Sequence, residues 1–352
     1  MSALLYPLLK IDPREADFSR RGFNCSRPEA RDHLERIGKT FLRGYHAALR
    51  EPDQRKLAAV LDEIKLEYRG FGYEGAAMAL VLLDAITPWK QRFADFLAAA
   101  GRNHVYMLHV GAGWGYARLP WVRGRIESQI RRFDPVLGSL VIDGYGFHEG
   151  YFHWHQALQP KISRLSPHGR HIFYQGLGRS LWFVEGTDAA GIARTIASFA
   201  PAYQGDAWSG IGLACAYAGG IDRSEIEKLC RYAAPFRAAL AQGAAFAAKT
   251  RLRAGNPVLH TEVACNVFCR MSSEEAAALC DETLSQVDLH YSCPYQHWRE
   301  LLQHSLQAAS ERREEDADSN LQITHKESRG ESYVQFNRNH ALHHNGSSKL
   351  SR

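Results

Sequence analysis

The stretch Asp143-Gly144-Tyr145-Gly146-Phe147-His148-Glu149-Gly150-Tyr151-Phe152 sets a Gly-x-Gly triplet beside a run of aromatic and ionisable residues. Four further triplets stand along the chain: Gly70-Phe71-Gly72, Gly111-Ala112-Gly113, Gly176-Leu177-Gly178 and Gly210-Ile211-Gly212. Taken in chain order, their first glycines are 41, 33, 32 and 34 residues apart, and a worn copy starts at Gly243, 33 beyond Gly210. A period of about 33 residues matches a helix-turn-helix unit, as in tetratricopeptide-like or related α/α arrays. The expectation is an all-α domain of helical-hairpin repeats. Small residues near the triplets (Gly75, Ala76, Ala77, Gly115, Ala117, Ala214 and Ala216) would let paired helices approach closely. The glycines read first as packing and turn devices, because Gly-x-Gly points to a phosphate only after a strand and before a helix.

Helix starts are marked between the triplets. Asp222 precedes Arg223-Ser224-Glu225, and Ser272 precedes Ser273-Glu274-Glu275. Each supplies a side-chain oxygen to first-turn amides, with acids at the positive end of the helix dipole. Pro88, Pro120, Pro135, Pro160, Pro167, Pro201 and Pro257 fall at or between the expected helices. Two short runs, 105–110 and 139–142, alternate in a strand-like way.

The chain has 352 residues, 45% hydrophobic and 23% charged, with a net charge of +5. That balance is typical of a soluble globular protein. Lys and Arg are interspersed with acids rather than gathered on one element, which argues against nucleic-acid binding. No apolar run is long enough for a membrane span, no secretion signal is evident, and a cytoplasmic protein is expected. The seven cysteines then read as reduced, mostly buried thiols. Residues 1–308 form a single expected domain. Residues 309–352, opening on Glu311-Arg312-Arg313-Glu314-Glu315-Asp316, read as a disordered polar tail whose His340, His343 and His344 are solvated.

Several segments match a family in order: Tyr68-Arg69-Gly70-Phe71-Gly72-Tyr73-Glu74-Gly75-Ala76-Ala77-Met78-Ala79-Leu80 with Asp84 and Pro88-Trp89; His109-Val110-Gly111-Ala112-Gly113-Trp114; 143–152; 175–183; and 208–220. The chain, over roughly Phe18 to Leu302, resembles an uncharacterised bacterial family, a domain of unknown function, whose members are often encoded in enediyne polyketide biosynthesis clusters. The resemblance implies a role in specialised metabolism. It carries no catalytic assignment.

The densest chemistry lies between Asp143 and His155, where two acids and three imidazoles sit among aromatics. If a helix begins at Gly146, His148 shares a face with Phe152, and Glu149 with His153. Glu74 holds a comparable place in the first copy, and a carboxyl among aromatics can have its pKa raised for general-acid work. Glu74, Asp143, His148 and Glu149 are the acid–base candidates. The same residues fit capping of a buried helix start, the commoner situation.

Phe71, Tyr73, Trp114, Tyr145, Phe147, Trp182 and Trp208, with Arg179, are the candidate binding residues. They suit an apolar groove for a polyene or isoprenoid chain, although aromatics between repeats more often simply pack. Arg179 and Arg118 have an alternative use as partners of neighbouring acids. Cys265 and Cys269 have zinc-ligand spacing, with His260, Cys280, His290, Cys293 and His297 nearby, yet no second compact pair follows, so no metal is expected. No cofactor is expected either, since nucleophile-elbow, zincin, P-loop and dinucleotide motifs are missing. Two functions remain open. One is a cyclase or isomerase acting on a hydrophobic intermediate. The other is a non-catalytic array that docks a polyketide synthase or carrier protein.

Overall fold

The computed structural model describes residues 2–123, 125–157 and 162–313, with side chains omitted at 2–5, 123 and 157. The chain divides into two units, 1–306 and 307–352. Among the described residues the first unit is helical without strands, so the all-α expectation holds. Its principal helices are α1 (Pro28–Arg50), α2 (Leu66–Ile86), α3 (Val105–Ala117), α4 (Leu140–Phe152), α5 (Pro167–Val184), α6 (Pro201–Ala218) and α7 (Arg237–Arg253). They are followed by α8 (Leu259–Phe268), α9 (Ser273–Ser285) and α10 (294–306). In the second unit, residues 307–313 are helical; the rest of the expected tail, from 314, lies outside the described residues.

All five triplets lie inside helices rather than at turns, which corrects the turn part of their reading. Glycine is normally unfavourable in a helix interior. Here close packing overrides that propensity. At 3.6 residues per turn, positions i and i+2 point about 200° apart, towards opposite flanks. In α3 to α6 the first glycine faces the preceding principal helix and the second faces the following one. A Cβ at Gly111, Gly144, Gly176 or Gly210 would overlap the carbonyl of Glu74, Val110, Asp143 or Gln175. A Cβ at Gly113, Gly146, Gly178 or Gly212 would overlap that of Val141, Phe173, Ala207 or Leu240. Gly243 meets Ser209 in the same manner. Gly70 departs from the pattern and faces the Tyr217 hydroxyl.

Neighbouring principal helices run in the same direction. His171 meets Asp206, Gly210 meets Gln175, and Trp182 donates from its indole N–H to the Gly219 carbonyl at 2.9 Å. Short outer segments such as Gln54–Asp62, Ala189–Ala197 and Arg223–Tyr232 bring the chain back between them. The outer helices bury one stripe. Most of α2 is buried all round, including 70–83, as expected for a helix with neighbours on every side. For the same reason, the strand-like alternation at 105–110 and 139–142 belongs mainly to helices, α3 and the start of α4, where burial on all faces erases helical periodicity.

The row of helices curls back on itself. Arg251 on α7 donates to the Glu67 carbonyl of α2 at 2.7 Å, and His33 on α1 bonds the Ala218 carbonyl of α6 at 2.6 Å. The caps at Asp222 and Ser272 form as expected; Ser272 and Glu275 complete a capping box. Pro120, Pro167 and Pro201 each open a helix.

Candidate functional site

Inside the curl, α1 to α5 and the segment 11–16 surround a half-open cavity of about 40 Å³. Its wall includes Phe41, Phe71, Met78, Trp114, Phe147 and Phe183, and its one buried carboxyl is that of Glu74. The room is enough for about three water-sized groups. It suits the end of a chain rather than a whole polyene, so the expected elongated groove contracts to a terminal pocket.

Glu74 sits on the α2 turn that passes closest to α3, its backbone carbonyl against Gly111. Burial pushes the carboxyl up to about 8, the Arg179 guanidinium holds it down in part, and the Asp143 carboxylate pushes it further up. The neutral acid therefore prevails at neutral pH. Glu74 Oε1 and the nearby Trp114 indole N–H are buried and neither completes a well-formed hydrogen bond, yet the indole is close enough to act on the carboxyl as a weak donor that lowers its pKa in part. Buried polar atoms left in this state are uncommon and suit a ligand that completes them.

Arg179, on α5, is buried and paired with Asp143 on α4. Burial opposes its charge, but Asp143 and Glu74 keep its pKa above the ordinary arginine value. Its Cζ lies 4.7 Å from the Phe147 ring centroid, and its Nε lacks a partner. The other Asp143 oxygen accepts from Gln175 Nε2 at 2.8 Å. Gln175 Nε2 also lies 2.8 Å from the Tyr295 hydroxyl of α10, extending the polar network to the last helix of the unit.

The structure thus gathers Glu74, Asp143 and Arg179, and brings Phe71, Trp114 and Phe147 to the cavity. It keeps the other candidates outside its lining. Helix α4 starts at Leu140, not Gly146, so His148 and Glu149 fall in its last turns. His148 lies behind the wall, its ring 5.7 Å from Trp114 and 4.8 Å from Phe152. Burial lowers its pKa, against the hydrogen bond and charge of Glu149. Tyr73 stacks on His104 and donates to Asp62 Oδ1 at 3.0 Å. Tyr145 packs edge-on against Phe173. Trp182 is bonded to the Gly219 carbonyl, and Trp208 is buried outside the cavity lining. Tyr73, Tyr145 and Trp182 meet neighbouring elements, and none of the four lines the cavity.

Phe41 and Tyr151 were not singled out from the sequence as binding residues. Phe41 belongs to α1, before the first triplet, and is 4.8 Å from Trp114. Tyr151 belongs to the quoted α4 run. Arg118 is exposed. Cys265 and Cys269 are buried on and just after α8, their thiols directed to the Ala244 and Ala241 carbonyls at 3.7 and 3.2 Å. They behave as small core side chains.

A wider depression of about 520 Å³ contains Glu127, Arg131, Asp134 and His168. Three of these groups have structural partners. Glu127 accepts from the Ser166 hydroxyl at 2.6 Å, Asp134 accepts from the Val136 and Leu137 amides at 2.9 and 2.8 Å, and His168 meets the Ser292 hydroxyl at 3.1 Å. The smaller cavity holds the unsatisfied carboxyl, and is the better candidate for chemistry.

The chain belongs to the family described as protein of unknown function (DUF1702), whose model matches residues 1–306. No curated protein and no solved structure matches it. Among the described residues, no helix is long and apolar enough to cross a membrane.

Proposed function

We propose, from this family membership and the Glu74 cavity, that the protein is a cytoplasmic accessory enzyme of bacterial specialised metabolism, of enediyne-polyketide type or a related one. It acts as a cyclase or isomerase on the end of a long apolar polyene or isoprenoid intermediate. The observation that carries this reading is the neutral Glu74 carboxyl, buried at an aromatic wall with Oε1 lacking a well-formed hydrogen bond and the Trp114 indole N–H as a weak donor beside it. Glu74 donates its proton to a terminal alkene carbon; the π electrons form the new C–H bond, and positive charge develops on the adjacent carbon.

The faces of Phe71, Trp114 and Phe147 stabilise that charge, and the wall excludes competing water. Arg179, backed by Asp143, stabilises the carboxylate left behind. Return of a proton from a neighbouring carbon to Glu74 yields an isomerised alkene. Attack by a second double bond before that return yields a ring. No separate cofactor enters this sequence.

Deletion of the gene should accumulate the substrate. An extract of that strain, incubated with purified protein in D₂O, should give a product carrying carbon-bound deuterium. Conversion without deuterium would remove Glu74 protonation from the mechanism. A docking role for a synthase or carrier protein rests on a different observation: Trp89 and Trp121 are 71% and 66% exposed just beyond the ends of neighbouring helices α2 and α3. A carrier protein bound there should lose affinity in calorimetric titration when either tryptophan becomes alanine.

A further inference from the structure

The end of α4, with the cap residue His153 that follows it, carries chemistry that the cavity does not use. His148 Nδ1 lies 3.1 Å from Glu149 Oε1, and His153 Nδ1 lies 3.5 Å from Glu149 Oε2. One donor atom from each residue falls within 4.8 Å of the other two. An ion bound tetrahedrally through nitrogen and oxygen at about 2.0–2.2 Å holds its ligands roughly 3.3–3.6 Å apart. The two separations, each to a different oxygen of Glu149, are close to that spacing, while one donor atom from each residue lies within 4.8 Å of the others. Small side-chain rotations would complete the convergence.

We propose that His148, Glu149 and His153 form a three-ligand site for a borderline divalent transition-metal ion of the zinc class. Two imidazoles and one carboxylate suit such an ion better than calcium or magnesium, which prefer oxygen-rich shells. Side-chain exposure rises from 4% at His148 through 21% at Glu149 to 38% at His153, although the His153 Nδ1 donor itself is buried. A zinc-class ion held by three protein ligands takes water as its usual fourth ligand. Buried His153 Nδ1 completes no hydrogen bond.

The nearby helix-end carbonyls are engaged separately: Arg21 Nη2 donates to Tyr151 O at 3.1 Å and to Phe152 O at 2.8 Å. The protein ligands to the ion are therefore the three side chains. His148 touches Trp114 and Phe152, both part of the cavity wall, so the ion fixes that wall from behind. This assignment is independent of Glu74 chemistry.

The test uses the full-length protein, freed of metal, with tail histidines 340, 343 and 344 changed to alanine to remove background binding. Zinc sulfate titrated calorimetrically should bind with one-to-one stoichiometry and raise Tm. His153→Ala and Glu149→Gln should each weaken binding by at least about tenfold, the scale seen even for loss of supporting groups around metals. Exposed His155→Ala and buried Cys265→Ser should leave affinity unchanged. Because His153 is partly exposed, its variant should match the parent Tm in chelator. No zinc bound by the parent, or equal binding by the parent and His153→Ala, would overturn the assignment.

Discussion

Two buried arginines define contrasting polar sites. Arg299 on α10 uses all three guanidinium nitrogens: Nε to Gln242 at 3.2 Å, Nη1 to Gln296 at 2.9 Å and Nη2 to Asp206 at 2.8 Å. The second Asp206 oxygen is met by His171 Nδ1 at 2.6 Å. Arg179 pairs with Asp143 but leaves Nε unpartnered, beside a second carboxyl whose Oε1 is also unpartnered. The first arrangement satisfies every guanidinium nitrogen and both Asp206 oxygens, leaving Gln242 Nε2 as its one buried atom without a partner, and it links the helices that carry these residues. The second retains unsatisfied capacity at a cavity, where a reacting molecule can use it. The difference sets an arginine with all its nitrogens satisfied beside one that keeps open hydrogen-bonding capacity.

The largest expected difference is in turnover. Glu74→Gln should lower the rate of deuterium-incorporating conversion by about 10²–10⁴-fold, the range of general acid–base catalysis, with little loss of Tm. A folding collapse would instead give Glu74 a structural role like that of Asp206. Next, Arg299→Met leaves Asp206 buried without its guanidinium, and chemical denaturation should show a loss of about 3–5 kcal/mol. A loss below roughly 1 kcal/mol would remove the contrast between the sites.

The pH dependence should distinguish them further. Glu74 has an ordinary value of 4.5 and a folded value of about 8. Between these values the unfolded chain binds fewer protons at this group, so its stabilising contribution is full below 4.5 and falls as pH rises towards 8. Relative to Glu74→Gln, the parent should lose up to about 1.4 kcal/mol per pH unit in that window, as followed by urea denaturation at several pH values. Parallel stability curves would contradict the raised carboxyl. The smallest effect belongs to His171→Gln: its half-exposed contact with Asp206 should contribute about 1 kcal/mol or less to stability. Equal losses from His171→Gln and Arg299→Met would assign the lock to the histidine.

Regular Gly-x-Gly spacing made close helix packing legible, but not the position of the triplets within helices. Local propensity disfavours interior glycine, and only backbone contact with the helices on either flank explains Gly111 and Gly113. Glu74 was legible as a carboxyl among aromatics. Its raised pKa depends on burial and on Arg179 and Asp143, contributed by α5 and α4. Phe41 left no comparable signal because its helix precedes the glycine pattern. Tyr73, Tyr145, Trp182 and Trp208 carried the same aromatic signal as the wall residues, since composition does not reveal which side of a fully buried helix meets a cavity.

The sequence by itself determined an all-helical main domain, the glycines permitting close contact and the caps beginning several helices. These features follow from local geometry and the side-chain volume at each position. Only tertiary structure decided that Glu74 remains unsatisfied while Asp143 pairs, and that Phe71 faces the cavity while Tyr73 packs elsewhere. Those outcomes depend on which helices meet across distant parts of the chain, and therefore on the solvent and charge left around each group.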